Sequence, residues 1–292
     1  MIRTTLDSEK AILILLKVDF STLQKISAKS IPQWASMPTP ILYFSLVRNR
    51  VFSASFALLF VLFASLGIPS EHEQKREDSF VQARRSMVEK DLRGRGIKDP
   101  KVLEAMALVP RHLFVKESQR FQSYQDRALP LGEGQTISQP YVVALMTELL
   151  ELKGNEKALE VGTGSGYQAA ILSHLVKEVY TIEIIPSLAE SARVRLSGLG
   201  YGNVQVKTGD GFFGWEEKGP FDAILVTASA RKVPEPLWKQ LREGGRMVMP
   251  LGETSKTQRL VRIRKIEGKR HVEDITGVIF VPMTGKAQVE NH

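Results

Sequence analysis

Three carboxylates and three glycines stand at spacings suited to holding a small cationic ligand. The run "ALEVGTGSGYQAAIL" (158–172) leads into a helical stretch through Gly162, Gly164 and Gly166, with Glu160 just ahead of them. The spacing is G-x-G-x-G, not the G-x-G-x-x-G that cradles a dinucleotide pyrophosphate. Glu183 lies near the end of "EVYTIEI" (178–184), and Asp210-Gly211 follows "NVQVKTG" (203–209). A pyrophosphate beside Glu160 would bring like charges together in a partly buried site. A ligand bearing a sulfonium and an ammonium would be attracted by the same carboxylate. S-adenosylmethionine carries both, with ribose hydroxyls suited to Glu183 and an adenine amino group suited to Asp210 or its neighbours. The glycines alone require only a tight strand-to-helix turn, and Asp210-Gly211 alone reads as an ordinary turn. Three acids at three successive strand ends favour the methyl donor over NAD.

Those residues need a frame that brings strand ends together. Short apolar runs at 157–161, 178–184, 203–209, 221–228 and 246–252 read as buried strands, and 167–177, 186–198 and 234–242 read as the helices between them. Strands alternating with helices imply an α/β, Rossmann-like, doubly wound and mostly parallel sheet covered on both faces. In such a sheet a ligand lies beyond the carboxyl ends of the strands, near the switch point. Runs at 258–266 and 272–281 follow each other without a helix and predict a terminal antiparallel pair. Upstream, "SFVQARRSMVEKDLRGRG" predicts a helix from Ser79 that stops at Gly94 or Gly96. Asp99-Pro100 reads as an N-cap and first-turn proline for "KVLEAMALV", and a further helix is expected over 140–152.

The totals narrow the chemistry. With 43% hydrophobic and 25% charged residues, the 292-residue chain has the make-up of a protein with a sizeable core. It has no cysteine, which excludes disulfides, thiolate metal sites and a cysteine nucleophile, and its five histidines form no i, i+4 pair. No metal is expected. Residues 1–70 hold seven Lys/Arg against three Asp/Glu, half of the net charge of +8. The basic stretch "RLVRIRKIEGKR" (259–270) lacks interleaved aromatics, so it reads as a solvated strand and turn near a sheet edge; no nucleic-acid partner is expected.

The chain divides into an N-terminal extension, 1–78, and a catalytic domain, 79–292. Within the extension, residues 51–68 are an uncharged run just long enough to cross a hydrocarbon core, preceded by Arg48 and Arg50. It reads as a signal peptide (of normal length if translation starts at Met37), a membrane anchor, or a leader foreign to the mature protein.

Five stretches together resemble the protein-L-isoaspartate O-methyltransferase family: "RGIKDPKVLEAMALVPRHLFV" (95–115), "GEGQTISQPYVVALMTELL" (132–150), "LEVGTGSGYQAAILSHL" (159–175), "GDGFFGWEEKGPFDAILVTASA" (209–230) and "VPEPLWKQLREGGRMVMPLG" (233–252). The resemblance spans roughly 79–285; Ser229 stands where the family tends to have alanine. It implies methyl transfer from S-adenosylmethionine to the free α-carboxylate of L-isoaspartyl residues in damaged proteins, whose ester then closes to a succinimide. It places the active-site hydroxyl at Ser138 in "TISQP", with Thr136 helping to orient substrate. Gln139, Pro140, Tyr141 and Thr284 fall at positions that line the cofactor pocket, together with Glu160, Gly162, Gly164, Gly166, Glu183, Asp210 and Gly211. Ser138, ahead of a proline and an apolar run, is also a natural N-cap, and spacing does not separate the two roles. The rival readings are a methyltransferase acting on a small molecule or RNA, and a membrane-tethered binding protein with a degenerate version of the fold. A monomer is expected, with membrane contact confined to 51–68. The positive-inside rule would send the domain across a membrane, whereas the family and the origin of the methyl donor point to the cytoplasm, which is the expectation adopted.

Overall fold

A computed structural model describes residues 70–253 and 256–289. The apolar segment 51–68 lies outside the described residues. Among the described residues, no helix is long and apolar enough to cross a membrane.

The fold opens with helix α1 (Glu71–Ser86), upstream of Ser79. Ser70 and Glu73 explain the earlier start: the Ser70 hydroxyl accepts the Glu73 amide at 3.3 Å, and the Glu73 carboxylate accepts the Ser70 amide at 3.0 Å. This reciprocal box satisfies amides that a helix start leaves open. The helix runs on through a π turn (Met87–Leu92) and a 3-10 turn (Arg93–Arg95), and stops at Gly96, whose φ of 100° is left-handed. Of the two candidate glycines, Gly96 is therefore the stop. Helix α2 (Pro100–Leu108) is capped by Asp99, which accepts the Lys101 and Val102 amides at 2.8 and 3.4 Å. Glu148, the last residue of α3 (Pro140–Glu148), accepts the amides of Lys98 and Asp99, which ties the end of α3 to the start of α2.

The main sheet contains β3 (Lys157–Val161), β4 (Glu178–Glu183), β5 (Val204–Thr208), β6 (Phe221–Val226), β7 (Leu241–Leu251), β8 (Gln258–Ile266) and β9 (Lys269–Val278). Their spatial order is β5-β4-β3-β6-β7-β8-β9; the first five are parallel, and β8 and β9 pair antiparallel. From β3 the chain winds outward to β5, then returns to β6 on the opposite side of β3. That reversal leaves a crevice at the carboxyl ends of β3 and β6. Both faces are covered. Ala158, Ala223, Leu225 and Val248 face a core shared with α1–α3 and with helix α4 (Tyr167–Ser173). Leu159, Val161, Ile224, Val226 and Met247 face a second core that holds Leu237 and Trp238 of helix α6 (Glu235–Gln240). This alternation on neighbouring strands is the period-2 pattern of a sheet buried on both sides. Helix α5 (Pro186–Gly198) links β4 to β5, with Ala192 and Leu196 in the first core.

Besides α1, α3 ends at Glu148 and not at 152, β9 spans Lys269–Val278 and not 272–281, and three further elements depart from the sequence reading. Helix α4 ends at Ser173 rather than 177, because Asn203 Nδ2 donates to the Ser173 and Val176 carbonyls at 2.9 and 3.3 Å. Strand β7 begins at Leu241, where a helix was expected to continue, and the register shifts between the Phe221–Leu241 and Ala223–Arg246 pairs. A short hairpin, β1 (Leu129–Gly132) and β2 (Gln135–Ile137), precedes α3. Its two-residue turn, Glu133-Gly134, has both φ angles positive (51° and 68°), the geometry that matches strand twist.

The basic stretch 259–270 lies mainly on β8, one strand in from the edge strand β9. Its arginines are paired: Arg259 with Asp274, Arg262 with Glu273 and Glu151, Arg264 with Glu151, and Arg270 with Glu235. Lys265 donates to the Trp238 and Leu241 carbonyls at 3.2 and 2.7 Å.

Candidate active site

A cleft occupies the crevice at the carboxyl ends of β3, β4 and β6. Its floor is the glycine turn. Gly162, Gly164 and Gly166 have φ of 98°, 52° and 86°, conformations that L side chains rarely adopt. A Cβ on Gly162 would overlap the Thr227 hydroxyl, which donates to the Val161 and Gly162 carbonyls at 3.0 and 2.8 Å. Four of the five amides over 162–166 are already committed. Gly162 and Thr163 donate to the Ile182 carbonyl, Gly166 to the Thr163 carbonyl, and Gly164 to Glu183 Oε2. A phosphate-cradling loop leaves several successive amides open to its anion. Here the Ser165 amide alone of the five is open, and the missing pyrophosphate spacing in the sequence has its physical counterpart in that.

Two carboxyl groups line the cleft. Glu183, at the end of β4, accepts Gly164 N at 2.8 Å through Oε2 and Ile185 N at 3.0 Å through Oε1. The two amides fix its orientation. Glu160 is fully buried in β3; its Oε2 accepts the Thr181 hydroxyl at 2.5 Å, and its Oε1 has no partner. Burial pushes its pKa up to about 8, against the lowering effect of the Thr181 bond and with a further rise from the nearby Glu183 charge. A buried acceptor oxygen without a donor is costly. One at a cleft wall is a place for a ligand's donor or cation.

Asp210, expected to be a cofactor acid, also holds two backbone amides. Its Oδ1 accepts Phe212 N at 2.9 Å and its Oδ2 accepts Lys286 N at 2.8 Å, and it is not among the residues lining the cleft. Its neighbour Gly211 does line it, packed so closely on Val161 that a Cβ would overlap that side chain. By holding Lys286, at the start of the short helix α7 (Lys286–Val289), Asp210 anchors the segment that carries Thr284 to the cleft wall. The same segment is fastened to Ser229, whose amide donates to the Val281 carbonyl and whose carbonyl accepts the Met283 amide, both at 2.8 Å.

The segment after β2 forms the opposite wall. Thr136 and Ser138 line the cleft and also a second groove, bordered by Gln139, Val142, Thr227 and residues 277–281. The cap of α3 is Gln139, without a side-chain cap bond; the Tyr141 amide is instead accepted by Asp126 Oδ1 at 3.0 Å. Ser138 therefore does not cap the helix, and among the described residues its hydroxyl makes no hydrogen bond. Pro140 and Tyr141 are not brought to the cleft. Pro140 is buried at the first turn of α3, and the Tyr141 ring lies 3.7 Å from the Arg95 guanidinium. Gln139 faces the second groove and donates to Asp126 Oδ2 at 2.7 Å.

Several residues of the site were not singled out by sequence. Thr181 and Thr227 supply the hydroxyls just described, and Asp126 and Arg111 brace the wall. The one available signal was Arg111 itself, a charged residue inside the apolar run "VPRHLFV".

The likenesses to known proteins cover this whole arrangement. A family model described as protein-L-isoaspartate(D-aspartate) O-methyltransferase matches residues 82–288, a span that takes in every strand and the cleft. Protein-L-isoaspartate O-methyltransferase 2 of Shewanella sediminis is 55% identical over 210 residues, covering 72% of this chain and 86% of its own. The Geobacter metallireducens protein-L-isoaspartate O-methyltransferase is 56% identical over 209 residues, covering 71% and 96%. A solved protein-L-isoaspartate O-methyltransferase superposes with a TM-score of 0.65 at 29% identity, over 70% of this chain and 67% of that one. A Plasmodium falciparum structure described as a beta-aspartate methyltransferase, in complex with S-adenosyl-L-homocysteine, superposes with a TM-score of 0.61 at 29% identity, over 69% and 98%. The chain belongs to the protein-L-isoaspartate(D-aspartate) O-methyltransferase family.

Proposed function

We infer that this protein is an enzyme that methylates the free α-carboxylate of L-isoaspartyl residues in damaged proteins and peptides, using S-adenosylmethionine, and so starts their repair. The observation that carries the reading is the wall at Ser138. An unengaged hydroxyl stands between a cleft suited to a cationic nucleoside and a second groove open to an acceptor.

The residues fit the methyl donor. The donor supplies an electrophilic methyl group on a sulfonium. Glu160 Oε1, buried and unpartnered, meets positive charge. Glu183, oriented by two amides, accepts ribose hydroxyls. Thr284 and Gly211 line the same cleft and would contact the donor there. The acceptor carboxylate, with an ordinary pKa near ~3.5, is ionised at neutral pH and needs no general base. It needs alignment and a dry approach. Ser138, assisted by Thr136, donates to it from the wall and turns it toward the cleft.

We propose further that the enzyme acts as a monomer in the cytoplasm and that residues 1–70 are dispensable for activity. The location rests on where the methyl donor is made, and the dispensability of 1–70 on a family match that begins at residue 82.

The purified protein should label isoaspartyl peptides from a radioactive methyl donor and leave matched L-aspartyl peptides nearly untouched. Equal labelling of both, or labelling of RNA instead, would sink the assignment. Glu183→Ala should weaken S-adenosylhomocysteine binding at least about ten-fold in calorimetry, since each charge-assisted bond is worth about 1.5–3 kcal/mol. Ser138→Ala should reduce turnover more than it changes that affinity. The empty site holds Glu160 protonated below about pH 8, and a bound cation favours its carboxylate, so binding releases a proton. Affinity should therefore rise as pH increases, by up to about ten-fold between pH 6 and pH 7, and Glu160→Gln should flatten the slope. Fractionation of cells expressing the chain tagged after His292 should place activity in the cytoplasm; a shortened chain in the periplasm would overturn that location.

A further inference from the structure

We propose that Arg111 and Asp126 are the positioning residues of the acceptor wall: a buried cation and a partly buried anion that together fix Ser138 from both sides. The proposal rests on the reading of Ser138 as the acceptor-orienting hydroxyl, and it concerns how that hydroxyl is held.

The 3-10 turn Arg111–Phe114 follows directly on α2 and carries the Arg111 side chain into the interior, where it is fully buried. Its Nη2 donates to the Ser138 carbonyl at 2.7 Å and its Nε donates to the Ser123 carbonyl at 2.7 Å. Its Nη1 is buried without a partner, and the guanidinium lies 4.8 Å from the Tyr167 ring centre. Among the described residues, no carboxylate is paired with it. Placing an arginine there is unfavourable for folding, since the water its charge loses outweighs the two carbonyls, the Tyr167 ring and the more distant Asp126 charge that it gains. The guanidinium fork provides what an apolar side chain would not: two carbonyls from separate loops held at a fixed angle.

Asp126 acts on the other side of the same residue. Oδ1 accepts the Tyr141 amide at 3.0 Å, Oδ2 accepts Gln139 Nε2 at 2.7 Å, and Arg95 pairs with Oδ2. Ser138 thus has its carbonyl held by Arg111, while the residue after it and the first turn of α3 are held by Asp126. Neither charged side chain lines the cleft. The hydroxyl they position is left with no bond of its own, free to meet the acceptor.

Arg111→Lys keeps a cation over Tyr167 but loses the two-carbonyl fork, and Asp126→Asn keeps one acceptor of two. At saturating peptide and methyl donor, Arg111→Lys should lower kcat at least ten-fold and Asp126→Asn at least three-fold. S-adenosylhomocysteine affinity in calorimetry should stay within three-fold in both. In a Ser138→Ala background, each loss should shrink to less than two-fold, because the clamp then has no hydroxyl to aim. A purely structural role would leave the losses unchanged in that background. The proposal fails if a folded variant keeps wild-type kcat, if the losses persist without the hydroxyl, or if cofactor affinity falls in parallel. Should Arg111→Lys not fold, the Asp126→Asn pair decides alone. Wild-type turnover in Ser138→Ala itself would overturn the reading of the hydroxyl and the clamp with it; a slow Ser138→Ala beside normal clamp variants would overturn only the clamp.

Discussion

At the carboxyl end of β3 there is no room for a side chain, and the arrangement of the cleft follows from that. Gly162 lies under the Thr227 hydroxyl, and Gly211 lies against Val161. Because these positions carry no Cβ, the ends of β3, β4 and β6 close on one another through backbone. The Ile182 carbonyl takes two amides of the turn, while Thr227 grips two of its carbonyls. The cleft floor is thus a backbone surface with most of its own hydrogen bonds made, and recognition falls largely to the few side chains around it.

Those side chains divide the work by what already bonds them. Glu183 has two amides to fix it, so its remaining lone pairs are presented in set directions. Glu160 has one hydroxyl and an empty oxygen in a dry wall, which lifts its pKa to about 8. The first is suited to neutral hydroxyls and the second to a cation. A pyrophosphate would meet two carboxyl groups and a single open amide in the turn, that of Ser165. The same acids that look redundant in sequence are distinguished by their donors in three dimensions.

Much of the frame was legible because the apolar runs obey one period on both faces of the sheet. The glycine turn, Glu160 and Glu183 were legible for a related reason: a residue type at a strand end has few other uses. What escaped was set by contacts distant in sequence. The hairpin β1–β2 is short, includes Pro130 and has little alternation, so periodicity carries no signal there. The start of α1 was hidden by the polarity of "EHEQKRED", although the Ser70–Glu73 box lies in plain sequence. Asp210 stands where an adenine ligand is expected, and its carboxylate also accepts the Lys286 amide, 76 residues away. The cap of α3 comes from Asp126, outside the helix altogether, and this separates the two roles that spacing left joined at Ser138.

The segment held by Asp210 and Ser229 gives the cleft a place in time as well as in space. Its walls are gathered from residues 135 to 284, and the piece bearing Thr284 is laid down after every strand of the sheet has been made. A growing chain on the ribosome can therefore build the parallel sheet and the glycine turn while one wall is still missing. The cleft has all its walls only when the chain after β9 has turned back to Ser229.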